Sequence, residues 1–244
     1  MHKDYKSESL KNILMKKYLT DGLDTMSETE ILQLILSFSE KKNINETTSK
    51  LLERYGSINH ISRLDPKTLI KDDLLNNRSA VLLKIIAVIS RLYNIDKNNI
   101  RKIDNVETAV DFLKSYYIGI PKEKITVIAL ENNFDIKEDC FVSSGTLEDV
   151  RISCHDIAKF TLNNNSAMII IAHNHPLGTP EPSDTDLIAT RFIIKTLENI
   201  GITLIDHIII GETDSFSMRE HFYNSMFKNV SDCGYRYNKY ENGT

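Results

Sequence analysis

The chain has 244 residues, of which 41% are hydrophobic and 26% are charged. Its mean hydropathy is −0.27 and no apolar run approaches about 18 residues, which excludes a membrane span or a membrane partner. The net charge is −4: residues 1–101 contain 17 basic and 13 acidic residues, and the rest of the chain contains 13 basic and 21 acidic residues. This distribution lacks the strongly basic region of a dedicated nucleic-acid binder. Three widely spaced cysteines, an odd number, exclude a disulfide framework and predict reduced thiols in a cytoplasmic protein without a secretory signal.

The first hundred residues carry apolar residues at helical spacing and show no strand-like alternation. Residues typical of helix ends mark the boundaries: Ser27 as an N-cap, Gly56 as a C-terminal stop, Asp65 as a cap and Pro66 at a first helical position. The stretch SAVLLKIIAVISRLYNI from Ser79 is strongly apolar, which predicts a core helix. We therefore predict a small helical domain over residues 1–100, with the polar stretch 96–105 as the linker.

Beyond residue 105 the pattern becomes mixed α/β, with runs of β-formers between amphipathic stretches. The predicted elements are a helix over 106–119, strands over 124–131 and 134–145, a helix over 155–165, a strand over 166–173, a helix over 183–201, and strands over 203–211 and 215–218. The turn Asn132-Asn133 joins the first two strands as a hairpin. We predict a mixed α/β domain over 104–228 and a loose polar tail over 229–244.

The sequence AHNHPLGTPEPSDTD carries the metal-binding chemistry. His173 and His175 stand two positions apart at the end of a predicted strand, so their side chains lie on one side of it. Asp186 follows in the first turn of the next helix, where its carboxylate supplies a third ligand. Three protein ligands leave a fourth position for water, as in catalytic zinc sites, although ligand type alone leaves Mn, Ni and Fe open.

Other interpretations of these residues remain open on spacing alone. Ser183 and Asp186 form the S-x-x-D pattern of a helix capping box, and spacing by itself favours the cap for this pair. A lone histidine at a strand end is more often a polar residue at the rim of a sheet than a ligand. Two histidines two positions apart with a downstream aspartate make metal ligation an equal alternative.

A pattern of the form H-x-H-P-x(6)-S-x-x-D resembles the JAMM motif of MPN-type metalloproteases. Its members are His173, His175, Pro176, Ser183 and Asp186. The segments FVSSGTLEDV, AHNHPLGTPEPSDTD and LIDHIIIGETDSFSMREH, with ETEILQLIL and LLERYGSI, are similar to the RadC family over roughly residues 10–225. This resemblance implies an α/β protein in which a small all-helical domain precedes a mixed α/β JAMM/MPN domain of the cytidine-deaminase-like class. It also implies that His173, His175 and Asp186 bind Zn2+.

The resemblance further implies catalytic roles for two residues. Ser183 would hydrogen-bond the oxyanion or the attacking water, and Glu123, at the start of a core strand, would be the general base. From the residues alone, Glu123 in the turn PKEK is a solvated surface charge. The implied reaction is zinc-dependent hydrolysis of a peptide or isopeptide bond in a peptide or protein substrate. His207 also matches the family, and the sequence favours a buried strand histidine with a satisfied hydrogen bond over a catalytic one.

The N-terminal domain departs from the family pattern in the turn that would contact DNA. The family ends this domain in a helix-hairpin-helix with a G-I-G-like turn, whose backbone N–H groups can bind phosphate. Here Asn76 and Asn77 replace the glycines, and asparagine tolerates left-handed geometry better than most residues. Asp72 and Asp73 would repel phosphate, so we predict a degenerate helix-hairpin-helix. The alternative function is a DNA-associated accessory protein in repair or recombination with a non-catalytic metal site.

Overall fold

A computed structural model describes residues 9–40, 43–71, 74–142 and 150–238, with side chains described outside 140–142 and 150–153. The chain divides into two compact units, Met1–Ser90 and Arg91–Thr244. This division lies before residue 100, the predicted end of the helical domain. Among the described residues, no helix combines the length and the apolar character needed to cross a membrane.

The N-terminal unit is built from short helices around an apolar core, as the sequence predicts. Its helices are α1 (Leu10–Asp21), α2 (Glu28–Leu36), α3 (Ile44–Tyr55), α4 (Ile58–Arg63), α5 (Pro66–Lys71) and the first part of α6 (Asn77–Asn98). The buried core residues include Leu32, Leu36, Leu51, Ile61 and Leu69. The predicted helix ends are confirmed, since Ser27 forms a capping box with Glu30 and Gly56 ends α3 at a φ of 79°.

Helix α6 is strongly apolar, but the structure buries only one side of it. Its buried residues are Ser79, Ala80, Leu83 and Ala87. Its exposed apolar residues include Val81, Ile85, Ile89, Leu92 and Tyr93. The prediction of a core helix is therefore wrong for this second side, because a run with apolar residues all around the helix does not indicate which face is buried. The helix also continues to Asn98, so the first residues of the predicted linker are helical.

The turn before α6 contains the residues that replace the family's glycines. Neither asparagine lies in the left-handed region, so the turn does not use the tolerance of asparagine for that geometry. Instead, the Asn76 side chain caps α6 by accepting from the Ser79 N–H at 3.0 Å. The Glu40 carboxylate accepts from the Asn76 N–H at 3.2 Å and from the Ser79 hydroxyl at 2.8 Å, which places an acidic group at this helix start. Asp72 and Asp73 lie outside the described residues.

The second unit is a mixed sheet with helices, in agreement with the predicted α/β class. After the end of α6, its elements are α7 (Val106–Tyr116), β1 (Ile125–Leu130), β2 (Ile136–Val142), α8 (Val150–Asn163), β3 (Met168–Asn174), α9 (Asp184–Glu198), β4 (Thr203–Ile210), β5 (Ser215–Ser217), α10 (Met218–Phe222) and a π-helical turn (Tyr223–Phe227). The strand order is β2-β1-β3-β4-β5, with β3 and β4 parallel and the other neighbours antiparallel. The predicted hairpin is confirmed up to Val142, and residues 143–145 of its second strand lie outside the described residues.

Helices cover both faces of this sheet. Strands β1 and β3 are buried at every position, which explains their unbroken apolar sequences, because both faces of a central strand contact protein. Ile169 and Ile193 belong to the core that the sheet forms with α8 and α9, together with Cys154, whose thiol pKa is raised by burial. Ile170 and Leu113 belong to the core on the other face, which α7 covers.

The polar tail packs onto this unit as far as the structure describes it. Val230 and Tyr235 are buried, and Arg236 forms an ion pair of 2.8 Å with Asp104. The prediction of a loose tail is therefore wrong for residues 229–238, and the last six positions lie outside the described residues. A few apolar side chains are enough to dock a polar segment, and average composition does not reveal them.

Candidate metal centre

The three predicted ligands meet at one edge of the sheet, where the parallel strands β3 and β4 have their carboxyl ends. His173 is the penultimate residue of β3, His175 follows the strand, and Asp186 is in the first turn of α9. One ligand atom from each lies within 4.8 Å of the others, and the described part of the chain contains no other such cluster. His173 and Asp186 are 3% and 5% exposed, and His175 is partly exposed. This edge of an α/β sheet is a common place for ligand binding.

The three ligand atoms are close enough to share one ion. Nε2 of His173 lies 3.0 Å from Nε2 of His175 and 3.5 Å from Oδ1 of Asp186. Two ligands at zinc distances of about 2.0–2.1 Å in a tetrahedral site lie about 3.3 Å from each other. The observed separations therefore bracket the value that tetrahedral zinc requires.

The chemistry of this donor set also fits a cation. Nδ1 of His175 lies 2.8 Å from the carbonyl oxygen of Thr179, and since a carbonyl can only accept, neutral His175 carries its proton on Nδ1. Its Nε2 is then left with a lone pair beside Nε2 of His173, in the cluster that includes the Asp186 carboxylate. If neither nitrogen carries a proton, the two lone pairs and the Asp186 carboxylate together form a site that favours a positive ion. Imidazole nitrogen and carboxylate oxygen are usual zinc ligands, so the residues present fit this metal.

Asp186 can serve both as a helix cap and as a metal ligand, because its two carboxylate oxygens face different groups. Oδ2 accepts from the Ser183 N–H at 2.8 Å and from the Ser183 hydroxyl at 2.6 Å, which forms the predicted capping box. Oδ1 is the oxygen nearer to His173. The carboxylate can therefore cap α9 and bind a metal at the same time, and the cap fixes its orientation.

The hydroxyl of Ser183 is engaged with Asp186 in both directions. It donates to Oδ2 of Asp186 and accepts from the Asp186 N–H at 3.2 Å. Its single proton therefore points to the carboxylate and would have to rotate to reach an oxyanion. Orientation of the ligand is the role that this geometry displays, and stabilisation of an oxyanion stays a prediction.

Glu123 is exposed and precedes β1 by two residues, at the same edge of the sheet. Strand β1 pairs with β3 so that Ile125, two residues after Glu123, is opposite His173. Residues directly opposite each other in an antiparallel pair share one face of the sheet, which here is the face that α9 covers. This pairing puts the segment that carries Glu123 at the end of β1 that lies beside His173, and the role of Glu123 as general base stays a prediction.

Asn174, which the sequence did not single out, holds the segment that carries Glu123. Its buried side chain accepts from the Lys124 N–H at 2.8 Å through Oδ1 and donates to the Lys122 carbonyl at 3.2 Å through Nδ2. These two peptide groups flank Glu123, so the middle residue of the H-x-H motif fixes the backbone of the predicted base. In the sequence, the feature that points to Asn174 is its position between two ligands, because a buried amide there requires hydrogen-bond partners.

His207 is buried in β4 with both ring nitrogens engaged, which confirms the prediction of a buried strand histidine with satisfied hydrogen bonds. Its Nε2 lies 2.9 Å from Nδ1 of His173, and its Nδ1 lies 2.6 Å from the hydroxyl of Thr190. In the sequence, the only signal for Thr190 is its position one helical turn after Asp186.

The burial of His173 and His207 predicts a loss of stability in acid. Burial is the main cause that lowers the pKa of His173 to about 4 and that of His207 well below its ordinary value. Below pH 6.5 the unfolded chain takes up protons on these histidines and the folded chain does not. The free energy of unfolding of the metal-free protein should therefore fall on their account as the pH decreases from about 6.5 towards 4, by on the order of 1 kcal/mol per pH unit for His207.

Urea unfolding of the metal-free wild type and of His207→Gln, between about pH 6.5 and 5, measures this contribution. Burial raises the pKa of Asp206 to about 7, so that carboxyl changes stability in the opposite direction. Because Asp206 is common to both proteins, the difference between the two slopes isolates His207. Equal slopes would contradict the prediction.

The loop over residues 176–182 is held by a close backbone contact at Gly211, just after β4. The Glu212 N–H donates to the Gly178 carbonyl at 2.9 Å. A Cβ at position 211 would lie 2.8 Å from that carbonyl oxygen and 2.9 Å from the nitrogen of Pro180. Only glycine allows this approach, because neither backbone atom can move without moving the loop.

Gly211→Ala should therefore displace the loop, which contains the Thr179 carbonyl that fixes His175. We expect a loss of about 1–3 kcal/mol in the free energy of unfolding and weaker metal binding, measured by urea unfolding and zinc titration. The matched control is Gly178→Ala in the same loop, where a Cβ would make ordinary contacts of 3.5 Å or more. Similar losses in both variants would show that the contact at Gly211 is not the cause.

Known proteins with similar sequences exist for most of this chain, including the segment that carries the metal centre. Residues 103–223, which include the three ligands and Glu123, match the family described as a RadC-like JAB domain. A UPF0758 protein of Fusobacterium nucleatum is 32% identical over 218 residues, which are 85% of this chain and 93% of that protein. UPF0758 proteins of Chlorobaculum tepidum and Pelodictyon phaeoclathratiforme are 28% and 30% identical, over 84% of this chain in both cases and 93% and 92% of their own lengths. The similarity therefore extends beyond the metal centre into the N-terminal unit.

Proposed function

Because this chain belongs to the RadC-like JAB domain family, we propose that it is a zinc-dependent hydrolase of peptide or isopeptide bonds. The observation that supports this most is the cluster of His173, His175 and Asp186, with its ligand atoms within 4.8 Å of one another. Three protein ligands, rather than four, are typical of catalytic zinc sites. A zinc ion held there supplies Lewis-acid chemistry, because it makes water more acidic and polarises a carbonyl group.

Glu123 is the proposed general base. Its carboxylate accepts a proton from the attacking water and then gives it to the leaving amine, so that the C–N bond breaks without formation of an amide anion. Glu123 is exposed at the edge of the sheet, which gives it access to water. The hydrogen bonds between the Asn174 side chain and the peptide groups on both sides of Glu123 limit the movement of its backbone. The hydroxyl of Ser183, once rotated away from Asp186, donates to the oxyanion of the tetrahedral intermediate.

Metal analysis followed by a cleavage screen tests this proposal. The purified protein should contain about one zinc ion per chain and should cleave members of a library of linear peptides and lysine-branched isopeptides. Cleavage should stop after removal of the metal by a chelator and resume when zinc is restored, and His175→Ala should not cleave under either condition. A protein without stoichiometric metal, or cleavage that survives chelation, would reject the proposal.

The alternative of a DNA-associated accessory protein has less support. At the start of α6, where a helix-hairpin-helix protein would bind phosphate, the Glu40 carboxylate accepts from the Asn76 N–H and the Ser79 hydroxyl. A second negative group would be repelled from this position. The alternative requires DNA binding that weakens steeply as the salt concentration rises, so absence of binding at low salt would reject it.

A further inference from the structure

A chain of three short hydrogen bonds lies behind His173, on the side away from the other ligands. The hydroxyl of Thr190 is 2.6 Å from the backbone carbonyl of Asp186 and 2.6 Å from Nδ1 of His207. Nε2 of His207 is in turn 2.9 Å from Nδ1 of His173. Thr190 and His207 are fully buried and His173 is 3% exposed, so water does not compete for these bonds.

The direction of each bond follows from the carbonyl at one end. Because the Asp186 carbonyl can only accept, two oxygens at 2.6 Å require that the Thr190 hydroxyl donates its single proton to it. The thioether of Met218, 3.3 Å from the same hydroxyl, is a much weaker acceptor and does not compete. In its contact with His207, the Thr190 oxygen must therefore accept, and Nδ1 of His207 must donate.

The same reasoning extends through His207 to the metal centre. His207 is fully buried, and its two ring nitrogens face the Thr190 hydroxyl and the His173 ring, with no carboxylate of the described residues as a hydrogen-bond partner, so the ring is neutral. A neutral imidazole has one N–H, and His207 uses it towards Thr190, so its Nε2 is an acceptor. Nδ1 of His173 must then donate to it, which leaves Nε2 of His173 without a proton, beside Nε2 of His175.

We propose that Thr190 and His207 are positioning residues that hold His173 in the tautomer with an unprotonated Nε2, and so prepare the centre for a metal before one binds. His175 is fixed in the same tautomer by the Thr179 carbonyl. Backbone carbonyls therefore determine the tautomers of both imidazoles: that of Thr179 acts directly on His175, and that of Asp186 acts on His173 through the relay of hydrogen bonds formed by Thr190 and His207. The importance of the relay for zinc rests on the proposed function, whereas the tautomer is a property of the metal-free protein.

Thr190→Val removes the hydroxyl and keeps the size and branching of the side chain. In this variant Nδ1 of His207 loses its acceptor, which favours the other tautomer of that ring, with the proton on Nε2. That proton would be donated to Nδ1 of His173 and would leave Nε2 of His173 protonated and unable to bind metal. We expect the zinc affinity, measured by competition with a chromophoric chelator, to fall about 10- to 100-fold. Thr190→Ser keeps the hydroxyl and should restore most of the affinity.

The tautomer itself is measured on the full-length, metal-free protein by 15N NMR of the histidine rings, with the His173 signals assigned by their loss in His173→Gln. The wild type should show a protonated Nδ1 and a bare Nε2 on His173, and Thr190→Val should show the reverse. A protonated Nε2 in the wild type, or wild-type zinc affinity in Thr190→Val, would overturn the proposal. The wild-type spectrum decides the tautomer even if the valine variant does not fold. A protein that binds no zinc but shows the expected tautomer would reject the proposed function and keep the relay.

Discussion

His173→Ala should remove the bound metal, with the zinc content falling from about one ion per chain to background. Nε2 of His173 is the atom that the other two ligands share as a neighbour, at 3.0 Å from His175 and 3.5 Å from Asp186. Without it, one imidazole and one carboxylate remain, and no described side chain is in the cluster to replace it. Elemental analysis of the protein after gel filtration measures the effect.

Two further variants separate loss of a ligand from general disturbance. His155→Ala removes an exposed histidine of α8 outside the cluster and should keep the zinc. Asp186→Asn keeps an oxygen that can accept from the Ser183 N–H but removes the negative charge that faces His173. It should therefore weaken zinc binding while α9 stays folded. Unchanged zinc content in His173→Ala would show that this cluster is not the metal site.

Glu123→Gln should lower the rate of hydrolysis by about 10²–10⁴-fold, because glutamine has nearly the same shape as glutamate but cannot accept the proton of water. Zinc content and thermal stability should stay at wild-type values, since Glu123 is exposed and is not one of the three clustered ligands. The measurement is kcat on a substrate from the cleavage screen, with zinc content determined on the same sample.

A matched control for this change lies at the other end of the same strand. Glu131 is exposed and directly follows β1, so Glu131→Gln makes the same chemical change away from the metal centre and should leave the rate unaltered. If Glu123→Gln retained more than about a tenth of the wild-type rate, another group would have to be the base. Loss of zinc together with activity would instead indicate that Glu123 is a ligand.

Elements that depend on neighbouring residues in the chain were predictable from the sequence. The unbroken apolar run of β3, the cap of α9 at Ser183 and the stop of α3 at Gly56 all agree with the structure. Each of them rests on contacts within a few residues, such as a side-chain oxygen that accepts from an N–H one turn ahead. The spacing of His173 and His175 also belongs here, because alternation along a strand places both on one side.

Other features depended on contacts that local patterns do not record. The sequence of α6 is apolar all around the helix, so its period alone did not say which side would be buried, and the structure leaves residues such as Ile89 and Tyr93 exposed. The tail is polar on average, yet Val230 and Tyr235 dock it onto the sheet. In both cases the deciding contact is with a segment far away in the chain.

The metal centre combines both kinds of information. By itself, the sequence determined that two histidines share one side of a strand end and that Asp186 begins the next helix, because strand alternation and helix capping are local. The tertiary structure alone decided which oxygen of Asp186 faces His173, and that β1 pairs with β3 so that Ile125, two residues after Glu123, is opposite His173. It also placed His207 of β4 against His173 of β3. The contacts between strands join residues distant in the chain, and pairing across a sheet leaves no periodic signal in either strand alone.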